Sequence, residues 1–147
     1  MVEEYLGKTI ALSGGFDPVH TGHLDMFEHA REIVGEKGTV IVFVNSDDFL
    51  INKKGKSFMS LSERLRLIKA FETVDQAVPV IDTDESVCET LRQHQPDIFA
   101  NGGDRTKENI PEDNVCKECN IEMIFNVGGG KTQSSSDLLK SFSTHLN

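Results

Sequence analysis

Apolar residues fall along this chain in two alternating rhythms. Thr9-Ile10-Ala11-Leu12 is a short β-branched apolar run that reads as a buried strand, and Met26, Phe27, Ala30, Ile33 and Val34 then recur at helical spacing between Leu24 and Val34. A turn at Gly35-Glu36-Lys37-Gly38 leads to Val40-Ile41-Val42-Phe43-Val44, apolar throughout, as suits a parallel strand covered on both faces. Ser60-Leu61-Ser62-Glu63 has capping-box spacing, so a second helix starts here, with Leu61, Leu65, Ile68 and Phe71 in its buried stripe.

Val74 to Val80 reads as a third strand. A helix follows from about Asp84, built on Val87 and Leu91 and stopping before Pro96. Asp97-Ile98-Phe99-Ala100 is a fourth strand, Ile110-Pro111-Glu112 opens a short helix carrying Val115 to Cys119, and Ile121 to Phe125 is a fifth strand. Strands alternating with helices make right-handed βαβ units. The expected fold is therefore α/β, a Rossmann-like open parallel sheet of about five strands with helices on both faces. At 147 residues it forms one domain spanning residues 1–147.

Polar residues gather where the predicted strands end, which is where open α/β sheets bind ligands. The first such place is Ser13-Gly14-Gly15-Phe16-Asp17-Pro18-Val19-His20-Thr21-Gly22-His23, between strand and helix. Its glycines permit positive φ and close approach of a ligand. His20 and His23 bracket a helix N-terminus, where unpaired N–H groups attract anions. The segment reads as a phosphate site. The second strand ends at Asn45-Ser46-Asp47-Asp48, and a basic loop, Asn52-Lys53-Lys54-Gly55-Lys56-Ser57, follows on the same edge of the sheet. The fourth strand ends at Asn101-Gly102-Gly103-Asp104-Arg105, and the fifth leads through Gly128-Gly129-Gly130-Lys131-Thr132 to Gln133-Ser134-Ser135-Ser136 before Asp137-Leu138-Leu139.

Charge and cysteine usage narrow the partners. A formal net charge of −9 argues against nucleic acid or an anionic membrane as the main partner, because both attract basic surfaces. No apolar run approaches the roughly 20 residues needed to cross a bilayer. Met1-Val2-Glu3-Glu4-Tyr5 lacks the basic and apolar blocks of a secretory signal, so the expected location is the cytoplasm. Cys88, Cys116 and Cys119 are an odd number of cysteines and do not suggest a disulfide framework. Cys116 and Cys119 form a CxxC without a second pair, which favours helix-surface thiols over a metal site.

The stretch from Gly15-Phe16-Asp17 to His20-Thr21-Gly22-His23 resembles the HxGH signature of the nucleotidyltransferase superfamily, and in particular its cytidylyltransferase-like branch. The resemblance runs from about Thr9 to Leu139. It implies nucleotidyl transfer from CTP or ATP to a small phosphomonoester such as a sugar or polyol phosphate, with pyrophosphate released. It implies Mg²⁺ bound with the NTP, with no metal ligand supplied by the protein, and a homodimer. His20, His23, Lys56 and Arg64 are the implied catalytic residues. Gly14, Gly15, Phe16, Asp17, Gly22, Gly102, Gly103, Asp104, Lys131, Ser134, Ser135 and Ser136 are the implied nucleotide-binding residues. Lys53 and Lys54 are assigned to the acceptor phosphate, although the residues alone do not say which loop lysine makes the contact. Arg64 occupies the position whose arginine points toward phosphate in the family. Asp17 is expected to shape the loop or orient the hydrated metal.

Gly129-Gly130-Lys131-Thr132 departs from the Arg-Thr-Glu-Gly of glycerol-3-phosphate cytidylyltransferases, and the Gly-Gly-Asp loop is more similar to that of heptose-phosphate adenylyltransferases. A cofactor-biosynthetic adenylyltransferase acting on nicotinate mononucleotide or phosphopantetheine, and a nucleotide-binding module without turnover, are the alternatives. A class I synthetase domain is disfavoured, because no Lys-Met-Ser-Lys-Ser loop is present.

Overall fold

The computed structural model describes residues 3–102, 110–128 and 138–139. After a 3₁₀ turn at Glu3–Tyr5, the described elements run β1 (Thr9–Gly14), α1 (Thr21–Val34), β2 (Thr39–Val44), α2 (Asp47–Lys54), α3 (Leu61–Lys69), β3 (Gln76–Pro79), α4 (Cys88–His94), β4 (Ile98–Ala100), α5 (Asp113–Glu118) and β5 (Glu122–Ile124). The five strands form one sheet in the order β3-β2-β1-β4-β5, and every pairing is parallel. This is the expected open α/β sheet. The order reverses between β1 and β4, so the loops after these two strands flank a crevice at their carboxyl ends.

The pleat assigns alternate residues to opposite layers. Ile10, Leu12, Val40, Val42, Val44, Ile98 and Ala100 belong to one apolar cluster with Phe27, Ala30 and Val34 of α1 and Ile68 of α3. Ala11, Ile41, Phe43 and Phe99 belong to a second, with Val87, Leu91, Val115 and Cys116 beside α4 and α5. Both faces of the central strands are thus covered, which is why their sequences are apolar without alternation.

Two local expectations change. The polar stretch after β2 and half of the basic loop are a helix, α2, whose N-cap Ser46 accepts from the Phe49 N–H at 3.0 Å. Gly55 ends α2 at φ 89°, and its N–H reaches the Ile51 carbonyl. Only Leu50 of this helix is buried, so the helical period is almost invisible in its sequence. Cys116 is also buried rather than on a helix surface. Burial and the nearby Glu112 carboxylate push its thiol up to about 12. All three cysteines are free thiols.

Candidate active site

The loop after β1 runs into α1 through a capping box built from two imidazoles. His20 is the N-cap, and its Nδ1 accepts from the Gly22 N–H at 3.1 Å. His23 stands three residues on, and its Nδ1 accepts from the His20 N–H at 3.2 Å. The H-x-G-H spacing is therefore the spacing of a reciprocal cap, with imidazoles in place of the usual hydroxyl and carboxylate. A ring nitrogen that accepts a hydrogen bond carries no proton, so both neutral rings hold theirs on Nε2. The rings stack at 3.8 Å between centroids and 24° between planes. They bring two Nε2–H donors of the same kind together at a helix N-terminus, whose partial positive charge favours an anion.

The residues before the histidines act differently from expectation. Gly14 and Gly15 do not adopt positive φ, whereas Phe16 does, at φ 54°. A Cβ on Gly14 would lie 2.9 Å from the Phe16 ring, and one on Gly15 would lie 2.8 Å from Leu50 Cδ2. Both glycines therefore make room for neighbouring side chains. Phe16 itself is 3% exposed and packs edge-on against the His23 ring at 4.8 Å and against Phe27 at 5.7 Å. It supports the His23 imidazole from the core. The Asp17-Pro18 peptide is cis.

Asp17 is buried, and both of its carboxylate oxygens accept backbone bonds, from the Phe58 N–H at 2.6 Å and the Met59 N–H at 2.7 Å. It shapes the loop, as expected, by tying residues 58–59 to it.

The Arg64 guanidinium is taken up by protein acceptors. Its side chain is fully buried. Its guanidinium donates to the carbonyls of Met59 at 3.0 Å, Gly15 at 2.9 Å and Asn45 at 2.6 Å, and to Asp47 Oδ1 at 2.6 Å. Arg64 thus joins the ends of β1 and β2 to the loop before α3. Burial works to raise the Asp47 carboxyl, but bonds from Arg64, the Leu61 N–H and Ser57 outweigh it and hold the group below the usual carboxylate range.

The three lysines separate. Lys53 and Lys54 lie in the last turn of α2, where their charge suits the helix dipole. Lys53 Nζ sits 5.4 Å from the centre of the Phe49 ring. Lys56 follows Gly55 and is exposed, two residues before the segment that Asp17 holds. Gly22 donates within the imidazole cap, and Gly102 lies against α1, with Met26 side-chain atoms 3.2 Å from where its Cβ would be. Gly103, Asp104, Lys131, Ser134, Ser135 and Ser136 lie outside the described residues.

The sequence reading placed Asn45 and Asp47 at a strand end on the ligand-binding edge but not as partners of Arg64, and it missed His29. His29 receives the Gly128 N–H on Nδ1 at 2.8 Å across 99 residues. For Asp47 a signal existed in Ser46-Asp47-Asp48 before Lys53-Lys54-Gly55, the cap and charge pattern of a short helix. A polar depression of about 440 Å³ lined by Glu4, Tyr5, Lys8, Asp97, Asn120 and Glu122 flanks the amino ends of β1, β4 and β5, away from this chemistry.

A doubly wound parallel sheet with paired imidazoles on a helix N-terminus beside its switch point is an α/β arrangement that suits an anion there. Residues 11–126 match the family described as Cytidylyltransferase-like, and the chain belongs to that family, within the nucleotidyltransferase superfamily. A FAD synthase of Methanopyrus kandleri is 32% identical over 100 residues, 68% of this chain and 65% of the relative. The bifunctional protein HldE of Streptomyces coelicolor is 34% identical over 114 residues, 76% of this chain but 24% of its own length. A FAD synthase of Korarchaeum cryptofilum is 28% identical over 134 residues, 89% of each protein. The chain thus spans just under two thirds of the first relative and about a quarter of HldE. In fold, the lipopolysaccharide core biosynthesis protein of Thermoplasma volcanium GSS1 superposes with a TM-score of 0.65 at 21% identity, over 81% of this chain and 95% of that one. No described helix is long and apolar enough to cross a membrane.

Proposed function

We propose that the chain transfers a nucleoside monophosphate from an NTP to a phosphate monoester and releases pyrophosphate. An acceptor phosphate oxygen forms a bond to the α-phosphorus as the bond from that phosphorus to the α,β-bridging oxygen breaks, and pyrophosphate carries away the electron pair. A phosphomonoester is already largely a dianion at neutral pH, since its second pKa is about 6, so no general base is required. Asp17 is not suited to be one, because both its oxygens accept backbone N–H groups.

The observation that carries this reading is the reciprocal imidazole cap, which leaves His20 and His23 with their protons on Nε2. Two such donors beside a helix N-terminus stabilise charge that grows on the α-phosphate oxygens. Lys56, next to the tethered segment, would meet the phosphate of acceptor or donor. Mg²⁺ enters as part of the Mg–NTP substrate.

ATP is the donor this reading favours. FMN is the first acceptor, since the match to the Korarchaeum FAD synthase covers 89% of both proteins and FAD is an adenylate joined to FMN. A heptose-type sugar phosphate is the second reading, supported by the 34% identity to HldE, whose heptose-1-phosphate adenylyltransferase domain is the related part. The test is pyrophosphate release with Mg²⁺, each of the four NTPs, and FMN, heptose-1-phosphate, glycerol-3-phosphate, nicotinate mononucleotide and phosphopantetheine. Release with ATP and FMN alone supports the first reading, and release with a sugar phosphate alone supports the second. No release from any pair, with NTP binding intact, would overturn both in favour of a binding module.

A further inference from the structure

We propose that Phe58 is a specificity-determining residue for the acceptor, a platform on which the flat ring of an aromatic phosphomonoester such as FMN stacks. The inference rests on the nucleotidyl-transfer reading. Phe58 is the most exposed large apolar side chain among the described residues, at 62%, and it belongs to neither apolar cluster. Its ring therefore contributes little to folding. Its backbone, by contrast, is fixed from two sides. The buried Asp17 carboxylate accepts the Phe58 N–H at 2.6 Å and the Met59 N–H at 2.7 Å. The Met59 carbonyl accepts from Ser57 Oγ at 2.7 Å and from Arg64 Nε at 3.0 Å. None of these bonds needs an aromatic side chain at position 58. A ring carried on an anchored backbone loses little further freedom when a flat ligand covers it, and this is the physical requirement of a stacking platform.

Three placements decide what covers the ring. Asp17, which anchors Phe58, lies three residues before His20, and at about 3.8 Å between consecutive Cα atoms the two are within about 11 Å of each other. Lys56 is exposed two residues before Phe58. A cation and a flat ring so spaced suit a ligand that carries a phosphate and an aromatic ring on one chain. FMN does so, with a ribityl chain between them, whereas a heptose phosphate has no π-face to stack. The third placement separates acceptor from base. Ser57 Oγ donates to Asp47 Oδ1 at 3.2 Å, and Arg64 links the Met59 carbonyl to that of Asn45 at the end of β2. β2 pairs with β1 on the side away from β4, while the crevice that suits a nucleotide lies between the loops after β1 and β4. The ring left for Phe58 is that of the acceptor.

The chain contains no tryptophan, so F58W places a single indole reporter at this position. In the full-length protein, affinities for FMN and for Mg–ATP are measured by calorimetry, with thermal midpoints, for wild type, F58A, F58L and F58Y, and the indole emission of F58W is followed as FMN is added. Loss of one aromatic stacking partner corresponds to a weakening of about 5- to 150-fold. F58A should weaken FMN by a factor in that range, F58L, apolar but not flat, should recover only part of it, and F58Y should restore it. Mg–ATP affinity and the thermal midpoints should stay close to wild type. FMN should quench the emission of F58W. Unchanged FMN affinity in F58A, equal affinity in F58L and F58Y, or F58W emission indifferent to FMN would overturn the platform. A loss confined to Mg–ATP would overturn the acceptor assignment and give the ring to adenine. FMN bound through Phe58 without pyrophosphate release from any NTP would overturn the nucleotidyl-transfer reading and leave the platform standing, whereas pyrophosphate release with a sugar phosphate and no FMN binding would overturn the platform alone.

Discussion

Asp17 and Arg64 hold the same residue by its two backbone groups. Asp17 Oδ1 accepts the Met59 N–H at 2.7 Å, and Arg64 Nε donates to the Met59 carbonyl at 3.0 Å. One partner belongs to the loop after β1 and the other to α3. The segment that carries Phe58 and Met59 is thereby clamped to the loop that precedes the imidazole pair, although Phe58 is 62% exposed.

Removing Arg64 should therefore be felt first in stability. Its four acceptors include three carbonyls and Asp47, and leaving a buried acceptor without its donor costs about 1–3 kcal/mol. Urea unfolding of R64A is expected to show a loss of that size. Wild-type stability together with a raised KM for the phosphorylated acceptor would return Arg64 to the role of a phosphate contact.

For the histidines, Asn separates capping from donation. Asn at position 20 or 23 supplies an oxygen where Nδ1 now accepts, but lacks the distal N–H. H20N and H23N should keep their thermal midpoints close to wild type while kcat falls about 10²–10³-fold, the usual effect of losing one preorganised donor to a charged transition state. H20A should add a capping loss of about 1 kcal/mol. Normal turnover in H20N and H23N would remove the imidazoles from the chemistry.

The lysines should also divide. K56A is expected to raise KM for a phosphorylated substrate, while K53A, whose ammonium lies over Phe49, should change KM little. Equal effects would mean that the turn after α2 does not sort them.

Acid stability should depend on Asp47. Its pKa is lowered in the folded protein, so its contribution is present above the unfolded carboxylate value and is lost as pH falls through the folded one. D47N should be less stable than wild type at pH 7, with the gap narrowing at acid pH in parallel melts. A constant gap across pH would show that charge is not the source.

Cys116 should resist alkylation. With its thiol pushed up to about 12 by burial and by Glu112, almost no thiolate exists at neutral pH. Iodoacetamide labelling read by mass spectrometry should leave Cys116 unmodified in the native state and modify it in denaturant. Rapid native labelling would contradict the burial.

The parallel sheet, the two apolar layers and the β1–α1 loop were legible because each is a local matter of period and punctuation. Continuous apolar strands, helical spacing from Met26 to Val34 and the H-x-G-H turn depend on residues within a few positions of one another. The short helix α2 was missed for the opposite reason. It buries one residue, Leu50, and so has caps and charges but no apolar stripe.

The sequence by itself determined the order of the strands along the chain and the presence of paired histidines at a helix start. Only the tertiary structure decided that Phe16 supports His23 from the core, that Arg64 binds the scaffold, and that His29 meets Gly128 across 99 residues. Local pattern reports what a residue prefers. Which partner saturates a guanidinium or an imidazole depends on groups brought together by chain crossings, and a buried polar group must take whichever partners the fold delivers.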